Sequence, residues 1–410
     1  MSDLLHPGDE RADGVFDDAA LLAALVTVEE AWLRALAATG LAPSAARPLA
    51  SLAGPDDVAT LSSAAEAGGN PVIPLVRMLR ERLGDGPTGT WLHRGLTSQD
   101  VLDTALVLCL RAALDRVVAD LHRQVGSLVG LIGAHGATVQ AGRTLTQPAV
   151  PITFALKAAT WLGGVLDAGD DLLAVHAQLP AQLGGAAGTM AATVELARIA
   201  GRPDPVAAAL AAADAFATEL GLVARPPWHT NRRPLTRAGD ALVATTDAFG
   251  RIANDVATLS RPEVGELSEG AGGGSSTMPH KQNPVLSVLV RRAAREAPLL
   301  GAQLHLGAAE TADERPAGAW HLEWPALRAL ARVAVVAAGQ TADLLAGLVV
   351  DPERMAGNLA ADLLAERAAI REALRAVPDL DRDPANYLGA ADELVRAQRD
   401  RAERFGRVRA

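Results

Sequence analysis

The sequence predicts an all-α protein with an elongated central bundle of long helices and smaller helical domains at its two ends. Hydrophobic residues, mostly Ala, Leu and Val, make up 49% of the 410 positions, and aromatic residues only 3%. This composition suits closely spaced helices better than a β-sandwich. The stretch from Ser98 to about Gly136 contains no proline, and its apolar residues recur at helical spacing. Both observations favour long helices.

Other long helical patterns follow the first one. They cover about 148–178, 236–260, 284–308 and 325–348. We therefore expect three segments: an N-terminal helical domain over 1–95, a central bundle over 96–348, and a short C-terminal helical domain over 349–410. Helices of this length cannot bury their apolar faces on one another alone, so we expect a homo-oligomer formed through the bundle.

Charge and cysteine content exclude several classes of protein. With 38 basic and 48 acidic residues the net charge is −10, and no Lys or Arg run suggests a nucleic-acid or anionic-membrane surface. The single cysteine, Cys109, excludes a disulfide framework and a cysteine-based metal site. The polar, acidic N-terminus is unlike a signal peptide, and no uncharged apolar run predicts a membrane span. We expect a cytoplasmic protein.

The stretch "GGGSSTMPHKQNP" over 272–284 is the most unusual in the chain. A phosphate-binding P-loop ends in Gly-Lys-Ser/Thr after a strand, whereas here the serines precede the lysine and no strand pattern comes first. Asn283 is a suitable N-cap and Pro284 a suitable first helical residue, so the loop leads into a helix. We expect that helix end, with Lys281, to attract an anion.

Three blocks resemble the fumarase/aspartase superfamily. "GSSTMPHKQNP" is similar to its signature, and "HRGLTSQDVLDTA" (93–105) and "GRTLTQPAVPITFALK" (142–157) resemble the two active-site blocks of adenylosuccinate lyase and its relatives. Within the superfamily, three further blocks resemble bacterial 3-carboxy-cis,cis-muconate cycloisomerases. They are "LPAQLGGAAGTMAA" (179–192), "PPWHTNRRPL" (226–235) and "ADERPAGAWHLEW" (312–324).

The resemblance implies addition or elimination of a group β to a carboxylate, without metal or cofactor, in a homotetramer whose sites are built from three subunits. It implies three catalytic residues: Ser275 for proton transfer, Lys281 and His93. Ser98 could also cap a helix, His229 could pack beside Trp228, and Arg233 could replace Arg232. The expected substrate-binding residues are Thr97, Ser98, Gln147, His229, Arg232, Ser276, Asn283 and Arg315.

Leu145 departs from much of the superfamily, since relatives that expel amines or hydroxide carry histidine after "GRT". Expelling hydroxide, whose parent water has a pKa of about 15.7, requires a general acid. A carboxylate, with a parent-acid pKa of about 4, does not. The leading hypothesis is therefore lactonisation of 3-carboxy-cis,cis-muconate in the protocatechuate branch of aromatic catabolism. The alternatives are a lyase that releases fumarate or a related acid, including one that expels nitrite, and a non-catalytic helical scaffold.

Overall fold

The computed structural model describes residues 4–43, 48–270, 273–274, 277–278, 281–360, 362–377 and 381–407. These residues form fourteen α-helices: α1 Asp18–Ala38, α2 Val58–Ala65, α3 Val72–Leu83, α4 Pro87–Trp91, α5 Ser98–Ala134, α6 Phe154–His176, α7 Ala191–Ile199, α8 Pro205–Glu219, α9 Arg233–Leu259, α10 Val285–Ala309, α11 Ala319–Ala346, α12 Pro352–Gly357, α13 Ala365–Ala373 and α14 Ala391–Phe405. The strands are β1 Val139–Thr144, β2 Gln147–Thr153, β3 Leu267–Glu269 and β4 Leu348–Val350. Short 3-10 helices lie at Asp9–Ala12, Ala50–Leu52, Pro55–Asp57, Glu66–Gly68 and Pro384–Asn386.

The predicted all-α class is confirmed. The five predicted long helices are present as α5, α6, α9, α10 and α11, with 37, 23, 27, 25 and 28 residues. Among the described residues the strands form only two sheets, each of two antiparallel strands, β1 with β2 and β3 with β4.

The start of the second long helix differs from the prediction. The helical pattern was expected to begin at about 148, but residues Gln147–Thr153 form β2, and α6 begins at Phe154. Pro148 and Pro151 explain the difference, because proline lacks the N–H that a helix interior needs and clashes with the preceding turn. Both prolines are tolerated here because each strand of a two-stranded sheet is an edge strand.

The chain folds into two compact units, whereas the three-segment division proposed above stays a prediction. The first unit comprises Met1–Arg116, Leu172–Leu242 and Pro298–Val335. In its core the buried ring of Trp32 on α1 packs edge-on against Phe216 of α8, with ring centroids 5.6 Å apart. The Trp32 Nε1–H donates to the carbonyl of Arg94 at 2.6 Å, so α1 holds the segment that precedes α5.

The second unit comprises Val117–Asp171, Val243–Ala297 and Val336–Ala410. Phe154 and Trp161 of α6 pack edge-on with centroids 5.8 Å apart, and the Trp161 Nε1–H donates to Asp255 of α9 at 2.8 Å. A Cβ atom at Gly169 would lie 2.4 Å from the Phe405 ring. Glycine at this position therefore lets α14 pack closely on α6.

Helix α11 is the one described helix that is long and apolar enough to cross a membrane by composition. However, 78% of its most apolar 18-residue window is buried inside the protein. Core helices of soluble proteins meet the same compositional test, so α11 is weak evidence for a membrane span.

Candidate functional site

The N-terminus of α5 carries the first group of predicted site residues. The carbonyl of Thr97 accepts from the Val101 N–H at 3.3 Å, and the Asp100 carboxylate accepts from the Thr97 N–H at 3.0 Å. Thr97 therefore occupies the capping position that the sequence suggested for Ser98, which is the first helical residue. The Thr97 hydroxyl faces Arg315.

Arg315 contacts Thr97 directly. Its Nη2 donates to the Thr97 hydroxyl at 2.6 Å and to the carbonyl of Ala186 at 3.1 Å. The side chain is only partly buried, so its other guanidinium donors are not enclosed by these two contacts. The structure thus brings together two residues, 218 positions apart, that were both predicted to bind a carboxylate.

Asp100 connects this helix end to two loops of the first unit. One carboxylate oxygen accepts from the Gly184 N–H at 2.9 Å and from His229 Nε2 at 2.8 Å, and the other accepts from the Gly185 N–H at 2.9 Å. Asp100 is fully buried and His229 is 3% exposed. His229 Nε2 is thereby engaged by Asp100, while its Nδ1 is buried without a hydrogen-bond partner among the described residues, and the predicted substrate contact of His229 stays a prediction.

Asp103, one turn further along α5, forms a second ionic contact. Its carboxylate accepts two parallel bonds from Arg232, at 2.7 and 2.9 Å, and one from Trp320 Nε1 at 2.8 Å. On its other edge Arg232 donates to Glu323, from Nη2 at 2.7 Å and from Nε at 3.0 Å. All three charged side chains are at least 98% buried.

The electrostatics of this triad follow from its net charge of −1. The two carboxylates hold the pKa of Arg232 above its ordinary value although burial acts in the opposite direction. Burial raises the pKa of Glu323, and Arg232 offsets only part of this effect. Because Asp103 and Glu323 occupy its donors, Arg232 has none exposed for a substrate carboxylate. The predicted carboxylate-clamp role therefore fits Arg315 better.

Two glutamines complete the buried network around Asp103. Gln99 Nε2 donates to the carbonyl of His229 at 3.0 Å and to Asp103 at 3.2 Å. The Gln182 side-chain carbonyl accepts from the Trp228 N–H at 2.9 Å. The segment around residue 229 is thus fixed to α5 by side-chain and backbone contacts. Buried polar groups are stable only when they are hydrogen-bonded, and these contacts meet that requirement for the glutamine donors.

His93 is held by a buried carboxylate of α1. Its Nδ1 lies 2.6 Å from Oε1 of Glu29, which is fully buried. An ionised carboxylate can only accept, so Nδ1 carries the proton and Nε2 is left for other partners. The backbone of His93 has φ of 62°, a conformation that costs a non-glycine residue on the order of 1 kcal/mol. Residues held in strained backbone conformations are often found at functional sites, and this supports the predicted role of His93.

In the second unit, Gln147 and Leu145 lie at the exposed end of the β1–β2 hairpin. Thr144 pairs with Gln147, so the loop has two residues, Leu145 and Thr146, with φ of 48° and 71°. Turns of this kind favour Asn-Gly, and leucine is unusual there. The Leu145 side chain is 96% exposed. Next to the turn, Arg143 forms a bidentate ion pair with buried Glu266, which is a structural contact.

Part of the glycine-rich loop lies within the described residues. Gly273 and Asn283 exchange backbone hydrogen bonds, both at 2.9 Å, and Asn283 Nδ2 lies 3.5 Å from the carbonyl of Gly274. Lys281 is exposed. Ser275 and Ser276, the predicted proton-transfer residue and its neighbour, lie outside the described residues.

The N-terminus of α10 differs from the expectation. The helix begins at Val285, and the carbonyl of Pro284 rather than that of Asn283 accepts its first intrahelical bond, from Val288 at 3.1 Å. The Glu269 carboxylate accepts from the Leu286 and Ser287 N–H groups at 3.1 and 2.7 Å. The helix end that was expected to attract an external anion therefore already binds a carboxylate of this chain.

A family model described as "Lyase" matches residues 19–299, more than half of the chain. The chain therefore belongs to the lyase family of the fumarase/aspartase superfamily. Nitrosuccinate lyase of Streptomyces davaonensis is 40% identical over 435 aligned positions, which cover 93% of this chain and 91% of that protein. 3-Carboxy-cis,cis-muconate cycloisomerase of Bradyrhizobium diazoefficiens is 40% identical over 354 positions, covering 84% of this chain and 75% of that protein.

Solved structures agree with this assignment. The crystal structure of 3-carboxy-cis,cis-muconate lactonizing enzyme from Pseudomonas putida has a TM-score of 0.81 and 29% sequence identity, and covers 97% of both chains. The superfamily and its helical fold are thus shown for this chain.

Sequence reasoning missed the carboxylates that organise the site. Asp100 and Asp103 stand inside the quoted block "HRGLTSQDVLDTA", and Glu29 lies in "TVEEAWL" of α1. Asp100 and Asp103 lie one turn apart on α5, and their partners His229 and Arg232 are also three positions apart but lie in the loop before α9. A helical pattern could therefore predict only the acidic half of these pairs.

Proposed function

We propose that this chain is a cycloisomerase that lactonises 3-carboxy-cis,cis-muconate. A carboxylate oxygen of the substrate adds to one carbon of a double bond, and the neighbouring carbon receives a proton from Ser275. Because the attacking group is an ionised carboxylate, the reaction takes up one proton overall, and the Ser275 alkoxide recovers its proton from solvent. Leu145 at the tip of an exposed hairpin supports a reaction without a general acid there, and the blocks over 226–235 and 312–324, which resemble bacterial cycloisomerases, favour lactonisation. A leucine there supplies no general acid, and a departing carboxylate needs none.

The residues of the first unit support carboxylate recognition. We assign the role of carboxylate clamp to Arg315, with Thr97 and Ser98 as neutral donors at the start of α5. Arg232 acts as a positioning residue, because Asp103 binds it beneath this surface. His229, held by Asp100, keeps its predicted contact with the substrate. His93 offers its Nε2 to the substrate, and Glu29 fixes its ring orientation.

The residues of the second unit are assigned to proton transfer and to the remaining anionic groups. Lys281 and Asn283 interact with the substrate anion and stabilise the developing negative charge, together with Ser276. Gln147 donates a hydrogen bond to the substrate. A free serine hydroxyl is a weak acid and base, so Ser275 works only where neighbouring donors stabilise its alkoxide and water is excluded.

Elimination of nitrite from nitrosuccinate is the second candidate function. The relative of that name matches 93% of this chain and 91% of its own length, a more complete match than that of the cycloisomerase from Bradyrhizobium. Nitrite is a weak base, so its departure also proceeds without a protonating histidine at position 145. The two candidates therefore share the same site chemistry and differ in the substrate.

We further propose a cytoplasmic homo-oligomer, with a tetramer as the expected state. Leu299 and Leu306 lie seven residues apart on one side of α10 and are 69% and 59% exposed. Exposed leucines at this spacing are typical of helix faces that are covered by another chain. Light scattering of the purified protein measures the state directly.

A two-substrate assay tests the proposed function. Purified protein is mixed with 3-carboxy-cis,cis-muconate, and the loss of conjugated-diene absorbance is followed. In parallel, nitrosuccinate is supplied, and nitrite and fumarate are measured. We expect diene loss that Ser275→Ala abolishes. Nitrite release without diene loss would replace the cycloisomerase by the second candidate, and no turnover of either compound would favour another lyase substrate or the non-catalytic scaffold.

A further inference from the structure

A small cavity in the first unit is lined by three arginines. Its volume is about 180 Å³, and Arg225, Arg233 and Arg237 line it together with Gln178. The rest of its wall is apolar and comes from Val175, Leu179, Pro180 and Pro234. No Asp or Glu lines this cavity.

Two of these arginines have unusually few partners. Among the described residues, neither the Arg225 nor the Arg233 side chain forms a hydrogen bond or an ion pair, and both are exposed. Arg237 donates once, to the side-chain carbonyl of Gln178 at 2.6 Å. Because the chain has a net charge of −10 and acidic residues outnumber basic ones, neighbouring arginines without a carboxylate partner are unexpected.

Two of the three arginines lie at a place in the fold where two electrostatic effects disfavour positive charge. Arg233 and Arg237 lie four residues apart at the start of α9, where like charges on one helix face repel. The N-terminus of a helix also carries positive partial charge, which disfavours cations in the first turn. A bound anion would make both effects favourable.

Arg233 and Arg232 have different surroundings although they are adjacent. The Arg232 guanidinium is enclosed by Asp103 and Glu323, while Arg233 lines the cavity. The cavity is therefore not made by the residues assigned above to the muconate carboxylates, and Arg315 is not among its lining residues.

We propose that this cavity is a binding site for a small anion that carries phosphate or several carboxylates. Guanidinium groups match the oxygens of both groups with paired, charge-assisted bonds. The volume of about 180 Å³ suits a phosphate or a short polycarboxylate, and the Val175 and Leu179 side chains offer an apolar surface to its carbon atoms.

Titration calorimetry with inorganic phosphate and with citrate tests the proposal and separates the two ligand chemistries. The protein is kept in a zwitterionic buffer at constant chloride, so that ionic strength does not change between titrations. We expect saturable binding of at least one anion. Arg233→Gln and Arg237→Gln should each weaken it at least about tenfold, since each removes a charge-assisted contact.

Two control variants locate the site. Arg198→Gln removes the same charge from α7, where Arg198 pairs with Glu195 at 3.0 Å, and should leave anion binding unchanged. Arg315→Gln alters the surface assigned to the polycarboxylate substrate and should leave phosphate binding unchanged, so that any citrate binding lost in this variant is attributed to that surface. Loss of binding in Arg315→Gln with retention in Arg233→Gln would overturn the proposal, as would absence of binding in the unaltered protein. The outcome is independent of which substrate the enzyme turns over.

Discussion

The buried triad of Asp103, Arg232 and Glu323 gives the most direct test of the structural reasoning. Arg232→Gln removes the cation that both carboxylates share, so two buried negative charges would face each other without compensation. Removing one partner of a buried ion pair costs about 3–5 kcal/mol, and here one substitution breaks two pairs. Since whole domains are stable by about 5–15 kcal/mol, we expect severe destabilisation or failure to fold.

Glu323→Gln should be far milder although it changes the same triad. Arg232 keeps its bidentate contact with Asp103, and the net charge of the cluster changes from −1 to zero. The amide of glutamine can still accept from the guanidinium. The expected cost is that of weakening one hydrogen-bonded contact, about 1–2 kcal/mol at neutral pH.

The pH dependence of Glu323→Gln has a definite sign. Burial raises the pKa of Glu323 in the folded state, so the folded protein holds this proton more tightly than the unfolded chain. The contribution of Glu323 to stability is therefore lost as pH rises from the unfolded value of about 4.3 through the raised folded value. Glutamine has no such loss, and the deficit of the variant should shrink as pH rises.

Urea denaturation followed by circular dichroism, at several pH values between about 4 and 8, measures these differences. Glu219→Gln is the matched control, because Glu219 pairs with Arg34 at the surface and should change stability by no more than about 0.5 kcal/mol. Equal losses in the free energy of unfolding for Arg232→Gln and Glu323→Gln would refute the argument from the net charge of the triad. A deficit of Glu323→Gln that grows with pH would refute the assigned direction of its pKa.

Three further substitutions test separate parts of the site. Leu145→Asn should leave thermal stability unchanged or raise it by up to about 1 kcal/mol, because Asn tolerates positive φ. A lower melting temperature of this variant would contradict the assigned turn geometry. Glu29→Ala should lower kcat/KM by on the order of tenfold to a hundredfold, because His93 loses the carboxylate that orients it. Glu29→Gln should lower kcat/KM less. The control Glu30→Gln, on the same helix, should have no comparable effect. Glu269→Ala should destabilise the protein by about 1–2 kcal/mol and increase amide exchange in the first turn of α10, and unchanged exchange there would disprove the capping role.

The long helices could be predicted from sequence because their signals are local. The apolar stripe that starts at Ser98 was expected to end at about Gly136, and α5 ends at Ala134. The β1–β2 hairpin was missed because the helical pattern of α6 was extended backwards through Pro148 and Pro151. The turn that would have revealed it contains Leu-Thr instead of the usual Asn-Gly, so the hairpin had no recognisable sequence signal.

The partners of the charged residues could not be predicted in the same way. Arg232 and Asp103 are separated by 129 positions, and only the packing of α5 against the loop before α9 brings them together. From sequence, an arginine in a recognisable block is equally consistent with a substrate clamp and with a structural ion pair. Burial separates these alternatives, and burial is a property of the folded chain.

The Glu269 carboxylate at the start of α10 changes how the glycine-rich loop can recognise an anion. A helix N-terminus attracts one carboxylate, and here Glu269 accepts from two of its backbone N–H groups and from the Ser287 hydroxyl, at 2.6 Å. A substrate carboxylate near this loop must therefore be bound by side chains and not by the helix dipole. Lys281 is exposed in the loop, and Asn283 is held to Gly273 by two backbone bonds. The proposed chemistry consequently depends more strongly on the charge of Lys281 than the sequence motif alone suggested.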